Sequence, residues 1–181
     1  MKTIIAVTGA SGSIYARRIL DKLKPYPQDI AVIFSEKAKQ VWEFELGNRN
    51  FDILPFTTYE PGDFFAPPAS GSSRFDTMIV CPCSMGTLSR IANGNADDLI
   101  ARSADVMLKE RRKLILVTRE SPLNLIHLRN MVQVTEAGAM VLPASPSFYS
   151  KPATLDDAVD TVIDRVLQLA GYDFPAFHWG E

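Results

Sequence analysis

The sequence predicts an α/β fold with one doubly wound parallel sheet, Rossmann-like or flavodoxin-like, and helices on both faces. The strand-like segments are continuous apolar runs, as expected for strands that are buried on both sides. Each run is followed by a segment with helical periodicity, and strands that alternate with helices form parallel sheets. With 181 residues, we expect a single domain over residues 1–181, in which residues 172–181 form a C-terminal tail.

Apolar runs and helical periodicity place each element in order. Strands are predicted at Ile4 to Thr8, Ile30 to Phe34, Thr77 to Cys81, Lys113 to Thr118 and Ala139 to Leu142. Helices are predicted after Gly12, over Glu36 to Leu46, from Ser84, near Asp97 to Glu110, after Ser121 and over Leu155 to Leu169. Residues 47–74 are rich in proline, glycine and serine, which predicts a long irregular loop of the kind that usually has a function.

Capping residues mark several helix ends. Ser121-Pro122 is typical of an N-cap followed by the first helical residue. Thr154 to Asp157 resembles a capping box, and Gly171 predicts the end of the last helix.

Composition excludes several classes of function. Lysine and arginine number 19 against 21 aspartates and glutamates, so the formal net charge of -2 gives no reason to expect nucleic acid. No apolar run is long enough to span a membrane, and no signal peptide with a cleavage site fits the first residues. Two cysteines are too few for a disulfide framework, so we expect a cytoplasmic protein.

Cys81 and Cys83 do not predict a metal site. They lie at the end of a strand, where we expect their side chains to point in opposite directions. The only histidines are His127 and His178, and neither has a paired spacing. Because zinc needs four ligands, the set is incomplete, and we expect no metal and two buried, unreactive thiols.

The carboxyl ends of the strands predict the position of the site. In parallel α/β sheets, ligands bind in the crevice beyond these ends. The residues there are small and hydroxyl-rich, with one cation and one carboxylate: Gly9, Ala10, Ser11, Ser35, Ser84, Met85, Gly86, Thr87, Arg119 and Glu120. Hydroxyls and free backbone N–H groups at helix starts suit a phosphate or a polyhydroxylated chain.

A mononucleotide fits this set better than a dinucleotide. Gly9-Ala-Ser-Gly12 lacks the G-x-G-x-x-G frame of dinucleotide-binding proteins, and a plain strand-to-helix turn explains it about equally well. Ser35 ends the second strand where an NAD-binding protein usually has an acid, although Glu36 follows directly. Flavin mononucleotide has a suitable phosphate and hydroxyl chain.

Six motifs in sequence order carry a resemblance to a known family. They are Gly9-Ala-Ser-Gly12, Ala66-Pro-Pro-Ala-Ser-Gly-Ser-Ser73, Cys81-Pro-Cys-Ser-Met-Gly-Thr87, Ala104-Asp-Val-Met-Leu-Lys-Glu-Arg-Arg112, Arg119-Glu-Ser-Pro122 and Ile126-His-Leu-Arg-Asn-Met131. Together they closely resemble the UbiX-type flavin prenyltransferases. That family joins a dimethylallyl group from dimethylallyl phosphate to N5 and C6 of reduced FMN, without a metal. The product, prenylated FMN, serves UbiD-type decarboxylases, and family members are commonly homo-oligomeric dodecamers.

The resemblance implies roles for individual residues. FMN would contact the residues at the strand ends, from Gly9 to Ser11, at Ser35, from Ser84 to Thr87 and at Arg119. The prenyl phosphate would be held by Lys109, Tyr149 and Arg165, with Arg102 near. Glu120, Ser11 and Glu45 match positions at the reacting centre, and Glu120 would carry protons.

Two aromatic positions are also implied by the resemblance. Phe64 stands near where some family members have a tryptophan, so the chain keeps an aromatic surface for the positively charged allyl fragment. Trp179 matches a tail tryptophan that reaches a neighbouring subunit's site.

Two alternatives remain open at this point. An FMN-dependent cysteine decarboxylase resembles the first glycine turn, but it needs a histidine in the early helix and a Pro-x-Met-Asn motif, which this sequence lacks. A flavin carrier without turnover would not need Lys109, Tyr149 and Arg165. Which decarboxylase receives the product, and whether the donor is a phosphate or a pyrophosphate, do not follow from the sequence.

Overall fold

In the part of the chain that the structure describes, six parallel strands form one sheet in the order β3-β2-β1-β4-β5-β6. The structure is a computed structural model, and it describes residues 1–174, 177 and 180. The strands are β1 (Thr3–Val7), β2 (Ile30–Phe34), β3 (Thr57–Tyr59), β4 (Thr77–Cys83), β5 (Lys113–Thr118) and β6 (Met140–Pro143). All five neighbouring pairs are parallel. This confirms the predicted doubly wound sheet.

Helices cover both faces of this sheet. They are α1 (Ser13–Leu23), α2 (Glu36–Leu46), α3 (Met85–Ala92), α4 (Leu99–Lys109), α5 (Leu125–Glu136) and α6 (Leu155–Ala170). Side chains of α1, α2 and α6 form one apolar cluster with one face of the strands. Side chains of α3, α4 and α5 form a second cluster on the other face. The central strands are therefore buried on both sides, which explains their continuous apolar runs.

The strand order reverses between β1 and β4, because β1 pairs with β2 on one side and with β4 on the other. In doubly wound sheets, the crevice at the carboxyl end of this switch point is the usual ligand site. The turn after β1 and the start of α3 meet at this place.

Most predicted elements are confirmed, but the predicted start of α5 was wrong. The helix is capped by Asn124, three residues after Ser121. The Asn124 side chain accepts a hydrogen bond from His127 N at 2.9 Å, and the His127 ring reaches back to the Asn124 backbone. This reciprocal pair satisfies the free N–H groups, so Ser121 is not needed as a cap. The predicted caps of α6, Thr154 with Asp157 and Gly171, are confirmed.

The loop between α2 and β4 is more regular than predicted. It contains the edge strand β3 and three short 3₁₀ turns, at Asn50–Ile53, Pro67–Ala69 and Gly71–Ser73. Two arginines tie its second half to the α4 region: Arg102 Nε donates to Ala69 O at 3.1 Å, and Arg112 Nη2 donates to Gly71 O at 2.7 Å.

The two thiols are buried in opposite clusters. Cys81 packs with α1 and α6, whereas Cys83 packs with α3 and α4. Residues two apart in a regular strand share a face, so this arrangement depends on the register shift between Val80 and Cys83. Burial raises the pKa of Cys81 well above its usual range and raises the pKa of Cys83 to about 12. Both thiols are thus buried, as predicted, and burial favours their neutral form over the reactive thiolate.

None of the helices within the described residues has the length and apolar character that a membrane span requires.

Candidate functional site

Thr8 joins the turn after β1 to the end of β4. Its hydroxyl donates to Pro82 O at 2.7 Å and accepts from Ser84 N at 2.8 Å. Thr8 is buried, so both hydrogen bonds are shielded from water. The two predicted flavin-binding turns, Gly9 to Gly12 and Ser84 to Thr87, are therefore held side by side at the switch point.

Ser35 and Ser84 both cap helices. The Ser35 side chain accepts from Ala38 N at 3.1 Å, and the Ser84 side chain accepts from Thr87 N at 3.2 Å. Capping uses one lone pair of each hydroxyl and leaves the second lone pair for a ligand, although Ser84 donates its proton to Thr87 Oγ1 at 3.1 Å. A role in capping and a role in binding are thus compatible for both serines.

Glu45 supplies the N-terminal cap of α1 from a neighbouring helix. Gly12 has no side chain to cap with, and its φ of 119° is a left-handed conformation that favours glycine. The Glu45 carboxylate accepts from Gly12 N at 3.0 Å and from Ser13 N at 2.7 Å. Burial favours the neutral form, but hydrogen bonds from Ser11, Ser13 and Gly12 outweigh it and lower the pKa of Glu45.

This capping predicts a pH-dependent contribution to stability. Because the folded-state pKa of Glu45 is lowered from 4.5, its contribution is complete above that value and is lost as the pH falls through the folded-state pKa. We expect Glu45→Gln to lower Tm at neutral pH and to flatten the fall in Tm between about pH 5 and pH 3. Thermal unfolding followed by circular dichroism measures both. Glu43→Gln, which removes only an exposed pair with Arg49, is the control, and an equal flattening there would contradict the assignment.

Gly9 in the first turn and Gly86 in the second have opposite surroundings. A Cβ added to Gly9 would lie 2.6 Å from Lys37 Cβ, so α2 crowds the turn. A Cβ added to Gly86 would meet only Ser84 Oγ, at 4.0 Å. Gly9 is therefore required by packing, whereas Gly86 leaves the surface above α3 open.

These surroundings predict opposite effects on stability. We expect Gly9→Ala to destabilise the protein by about 1–3 kcal/mol, because backbone must move to make room. Gly86→Ala should stabilise the flavin-free protein by about 0.4–1 kcal/mol by reducing the entropy of the unfolded chain. Urea unfolding of both variants measures these values. A Gly9→Ala variant as stable as the unaltered protein would show that the contact is not restrictive.

A cavity of about 450 Å³ opens beside the first turn. Its wall combines the polar residues Ser11, Glu45 and Arg119 with apolar side chains, namely Ile14, Leu46, Ala144 and Leu155. A mainly apolar cavity with a few polar groups suits a planar ring that carries polar edges.

Arg119 and Glu120 follow β5 directly and differ in exposure. Arg119 Nε donates to Ser11 O at 3.1 Å, which fixes the guanidinium against the first turn and inside the cavity wall. Glu120 is exposed, and its carboxylate accepts from Ser121 N at 3.1 Å. Both side chains thus lie at the carboxyl edge of the sheet, as predicted.

The predicted phosphate-binding residues lie on opposite faces of the sheet. Arg102 and Lys109 are seven positions apart on α4, so they share one side of that helix. Arg102 pairs with Asp105 at 2.9 Å, and Lys109 pairs with Glu110 at 2.7 Å. Arg165 belongs to α6, on the other face. The structure of one chain therefore does not bring Lys109 and Arg165 together.

Arg165 lines a second cleft, of about 720 Å³, with Ser147 and Ser150 on either side of Tyr149 in sequence. Tyr149 itself is exposed. Leu155 belongs to the wall of the first cavity, and Arg165 is ten residues further along α6. This separation corresponds to about 15 Å along the helix axis. Tyr149 and Arg165 are thus in the same region of one chain, but they lie outside the cavity beside Arg119.

Of the two aromatic residues that the resemblance implies, the structure describes Phe64 but not Trp179. Phe64 is exposed in the loop before Ala66. Trp179 lies outside the described residues. Tyr172 and Phe174, at the start of the predicted tail, stack with ring centroids 5.9 Å apart and pack against Tyr26 of the same chain.

Sequence reasoning missed two polar residues of this region. Tyr15 lines the cavity, its hydroxyl lies 3.4 Å from Ala144 O, and burial raises its pKa. Arg90 Nη2 donates to Thr87 Oγ1 at 3.3 Å. Tyr15 is four positions after Ser11 and Arg90 is three positions after Thr87, so helical spacing from these two predicted site residues could have found them.

Comparison with known proteins identifies the family. A family model described as Flavoprotein matches residues 1–167. A flavin prenyltransferase UbiX of Methanocaldococcus jannaschii is 48% identical over 183 residues and covers 99% of both chains. This chain belongs to the UbiX family of flavoproteins. The resemblance drawn from the six motifs is thereby confirmed.

Solved structures of the UbiX family have the same fold over the whole chain. The crystal structure of AnUbiX (PadA1) in complex with FMN and dimethylallyl pyrophosphate has a TM-score of 0.94 at 41% identity, and covers 99% of this chain and 98% of its own. A dodecameric FMN-dependent UbiX-like decarboxylase from Escherichia coli has a TM-score of 0.95 at 42% identity, with both chains fully covered. The FMN-dependent cysteine decarboxylase SpaF is only 17% identical, with a TM-score of 0.63, which shows a shared fold alone.

Proposed function

We propose that this protein is a flavin prenyltransferase, which joins a dimethylallyl group to N5 and C6 of reduced FMN without a metal. The observation that carries the proposal is the position of the cavity beside Ser11 and Arg119, at the switch point of a UbiX-family sheet. FMN is a substrate here, and prenylated FMN is the product.

The residues of the cavity fit FMN. Its volume of about 450 Å³ lies within the range of about 300–1,000 Å³ that is usual for small-molecule sites. The apolar wall formed by Ile14, Leu46 and Leu155 suits the ring system. Ser35 and Ser84, at the starts of α2 and α3, suit the hydroxylated chain and its phosphate, because free N–H groups and the helix dipole favour negative charge there.

The charged residues suit the prenyl donor, dimethylallyl phosphate. Phosphate leaves readily only when cations or a proton neutralise its charge. Lys109, Arg165 and Arg119 can do this electrostatically, and the Tyr149 hydroxyl can donate a hydrogen bond. The departing allyl fragment carries positive charge, which an aromatic face such as that of Phe64 stabilises by roughly 0.5–2 kcal/mol.

The phosphate clamp, defined as Lys109, Tyr149 and Arg165, requires more than one subunit. Lys109 lies at the end of α4 and Arg165 on α6, and these helices cover opposite faces of one sheet. We therefore assign Arg102 and Lys109 to one subunit and Tyr149 and Arg165 to another, in a homo-oligomer. Dodecameric assembly in a relative of 42% identity supports this arrangement.

The C-terminal tail and the protein that receives prenylated FMN are also assigned roles. Because Tyr172 and Phe174 pack on their own chain, a contact with a neighbouring subunit is assigned only to residues after Phe174, including Trp179. The recipient of the product is a UbiD-type decarboxylase in the cytoplasm.

Phosphate release tests the proposed function. The purified oligomer is mixed with dimethylallyl phosphate and dithionite-reduced FMN, and inorganic phosphate is measured over many equivalents of enzyme. We expect release that requires both substrates and stops with oxidised FMN. A flavin carrier would bind FMN but release no phosphate. Parallel reactions with dimethylallyl pyrophosphate identify the preferred donor.

A further inference from the structure

Arg90, on the last turns of α3, is hydrogen-bonded to the turn that begins at Ser84. Its Nη2 atom donates to Thr87 Oγ1 at 3.3 Å. Ser84 Oγ also donates to Thr87 Oγ1, at 3.1 Å, and accepts from Thr87 N at 3.2 Å. Thr87 is buried and Ser84 is half-buried, so these contacts form a short chain from Arg90 towards the predicted flavin site.

Two carboxylates hold Arg90 in this position. Its Nη1 atom pairs with Asp97 at 2.8 Å and with Asp98. Asp98 is itself fixed, because its side chain caps α4 by accepting from Ala101 N at 2.8 Å. The guanidinium is thus bound between α3 and α4 and has little freedom to leave Thr87.

Arg90 limits the hydrogen bonds that the hydroxyls of Ser84 and Thr87 can form. A guanidinium has only donors, so Thr87 Oγ1 must accept from it. The hydroxyls share one hydrogen bond, and Ser84 Oγ also accepts from Thr87 N. Because Thr87 Oγ1 accepts from both Arg90 and Ser84, its two lone pairs are occupied. Its own O–H proton is therefore left over, and among the described residues none accepts it. Hydroxyl protons rotate, so Thr87 can turn this proton towards a ligand, but it has no lone pair left with which to accept a hydrogen bond.

We propose that Arg90 is a positioning residue that keeps the Thr87 hydroxyl a hydrogen-bond donor towards an acceptor atom of bound FMN. The inference rests on the proposed flavin site. Without Arg90, one lone pair of Thr87 Oγ1 is released, and this hydroxyl can turn either a donor or an acceptor to the ligand. FMN then loses a preorganised partner, and its affinity falls.

A double-mutant cycle with FMN affinity as the readout tests this role. Full-length protein stripped of flavin is titrated with FMN, and binding is followed by quenching of flavin fluorescence. We expect Arg90→Met to weaken binding by about 3- to 10-fold, the loss typical of one hydrogen bond. In a Thr87→Val background, Arg90→Met should weaken binding little further, because Arg90 acts through Thr87. Arg90→Lys keeps a side chain that only donates, so its affinity should be close to that of the unaltered protein.

Controls separate positioning from general loosening of the fold. Arg49 also pairs with two carboxylates, Glu43 and Asp52, so Arg49→Met makes the same charge change away from α3 and should leave FMN affinity unchanged. Fully additive effects of Arg90→Met and Thr87→Val, or normal affinity of Arg90→Met, would overturn the proposal. Absence of FMN binding by the unaltered protein would overturn the flavin site as well. FMN binding with the expected coupling between Arg90 and Thr87, but no release of phosphate, would contradict the transferase function. The proposed role of Arg90 would then still be supported.

Discussion

Glu120→Gln should stop the reaction after the bond to N5 has formed, so that an N5-prenyl flavin accumulates. Closing the new ring at C6 requires loss of the C6 proton, and some base must lie at that edge of the flavin. Glu120 follows β5 directly and is the neighbour of Arg119, which is hydrogen-bonded to Ser11 in the cavity wall. Glutamine keeps the shape of the side chain and removes the base.

The expected loss in the rate of ring closure is about 10²–10⁴, as is typical when a general base is removed. Rapid quench followed by mass spectrometry and absorption spectroscopy distinguishes the open adduct from the closed product. Glu136→Gln, an exposed change at the end of α5, is the control and should close the ring normally. Normal ring closure in Glu120→Gln would assign the base to the departing phosphate instead.

Lys109→Ala and Arg165→Ala should each lower kcat/KM for the prenyl phosphate by about 10- to 100-fold, the effect of one lost charge-assisted hydrogen bond. FMN affinity should stay near normal, because neither residue lines the cavity beside Arg119. Lys24→Ala, which removes an exposed lysine paired with Asp21, is the matched control and should not change kcat/KM.

Co-expression of the two clamp variants tests whether two subunits share a site. A mixed oligomer contains some sites in which an intact Lys109 from one chain meets an intact Arg165 from another, so part of the activity should return. If both residues came from the same chain, no site in the mixture would be intact and activity would stay low. Loss of FMN binding in either single variant would contradict the assignment of the clamp.

The fold could be predicted because its signals are local. The strand at Ile30–Phe34 and the helix at Glu36–Leu46 have the predicted bounds, since an apolar run, a serine cap and a glycine end define them. The edge strand Thr57–Tyr59 was missed, because its three partly exposed residues have no apolar pattern and are defined only by pairing with β2. Ser121 was wrongly predicted as a cap, because the competing pair Asn124 and His127 lies three residues later.

The candidate site could be predicted only in part, because only some of its features follow from local sequence signals. Residues at strand ends, such as Ser11, Ser84 and Arg119, were found because parallel strands bring their carboxyl ends together. The capping of α1 by Glu45 was not found, because it joins two helices that are distant in sequence. The structure of one chain does not bring Lys109 and Arg165 together. The contacts between chains that we propose for these two residues are not encoded in the local pattern of one sequence.

The mass of the flavin after reaction tests the central claim most directly. The oligomer is incubated anaerobically with reduced FMN and dimethylallyl phosphate, and the flavin is then released and analysed by high-resolution mass spectrometry. The proposed function predicts a flavin heavier by one dimethylallyl unit, formed in amounts that exceed the enzyme. Recovery of unmodified FMN alone, from protein that binds both substrates, would contradict it.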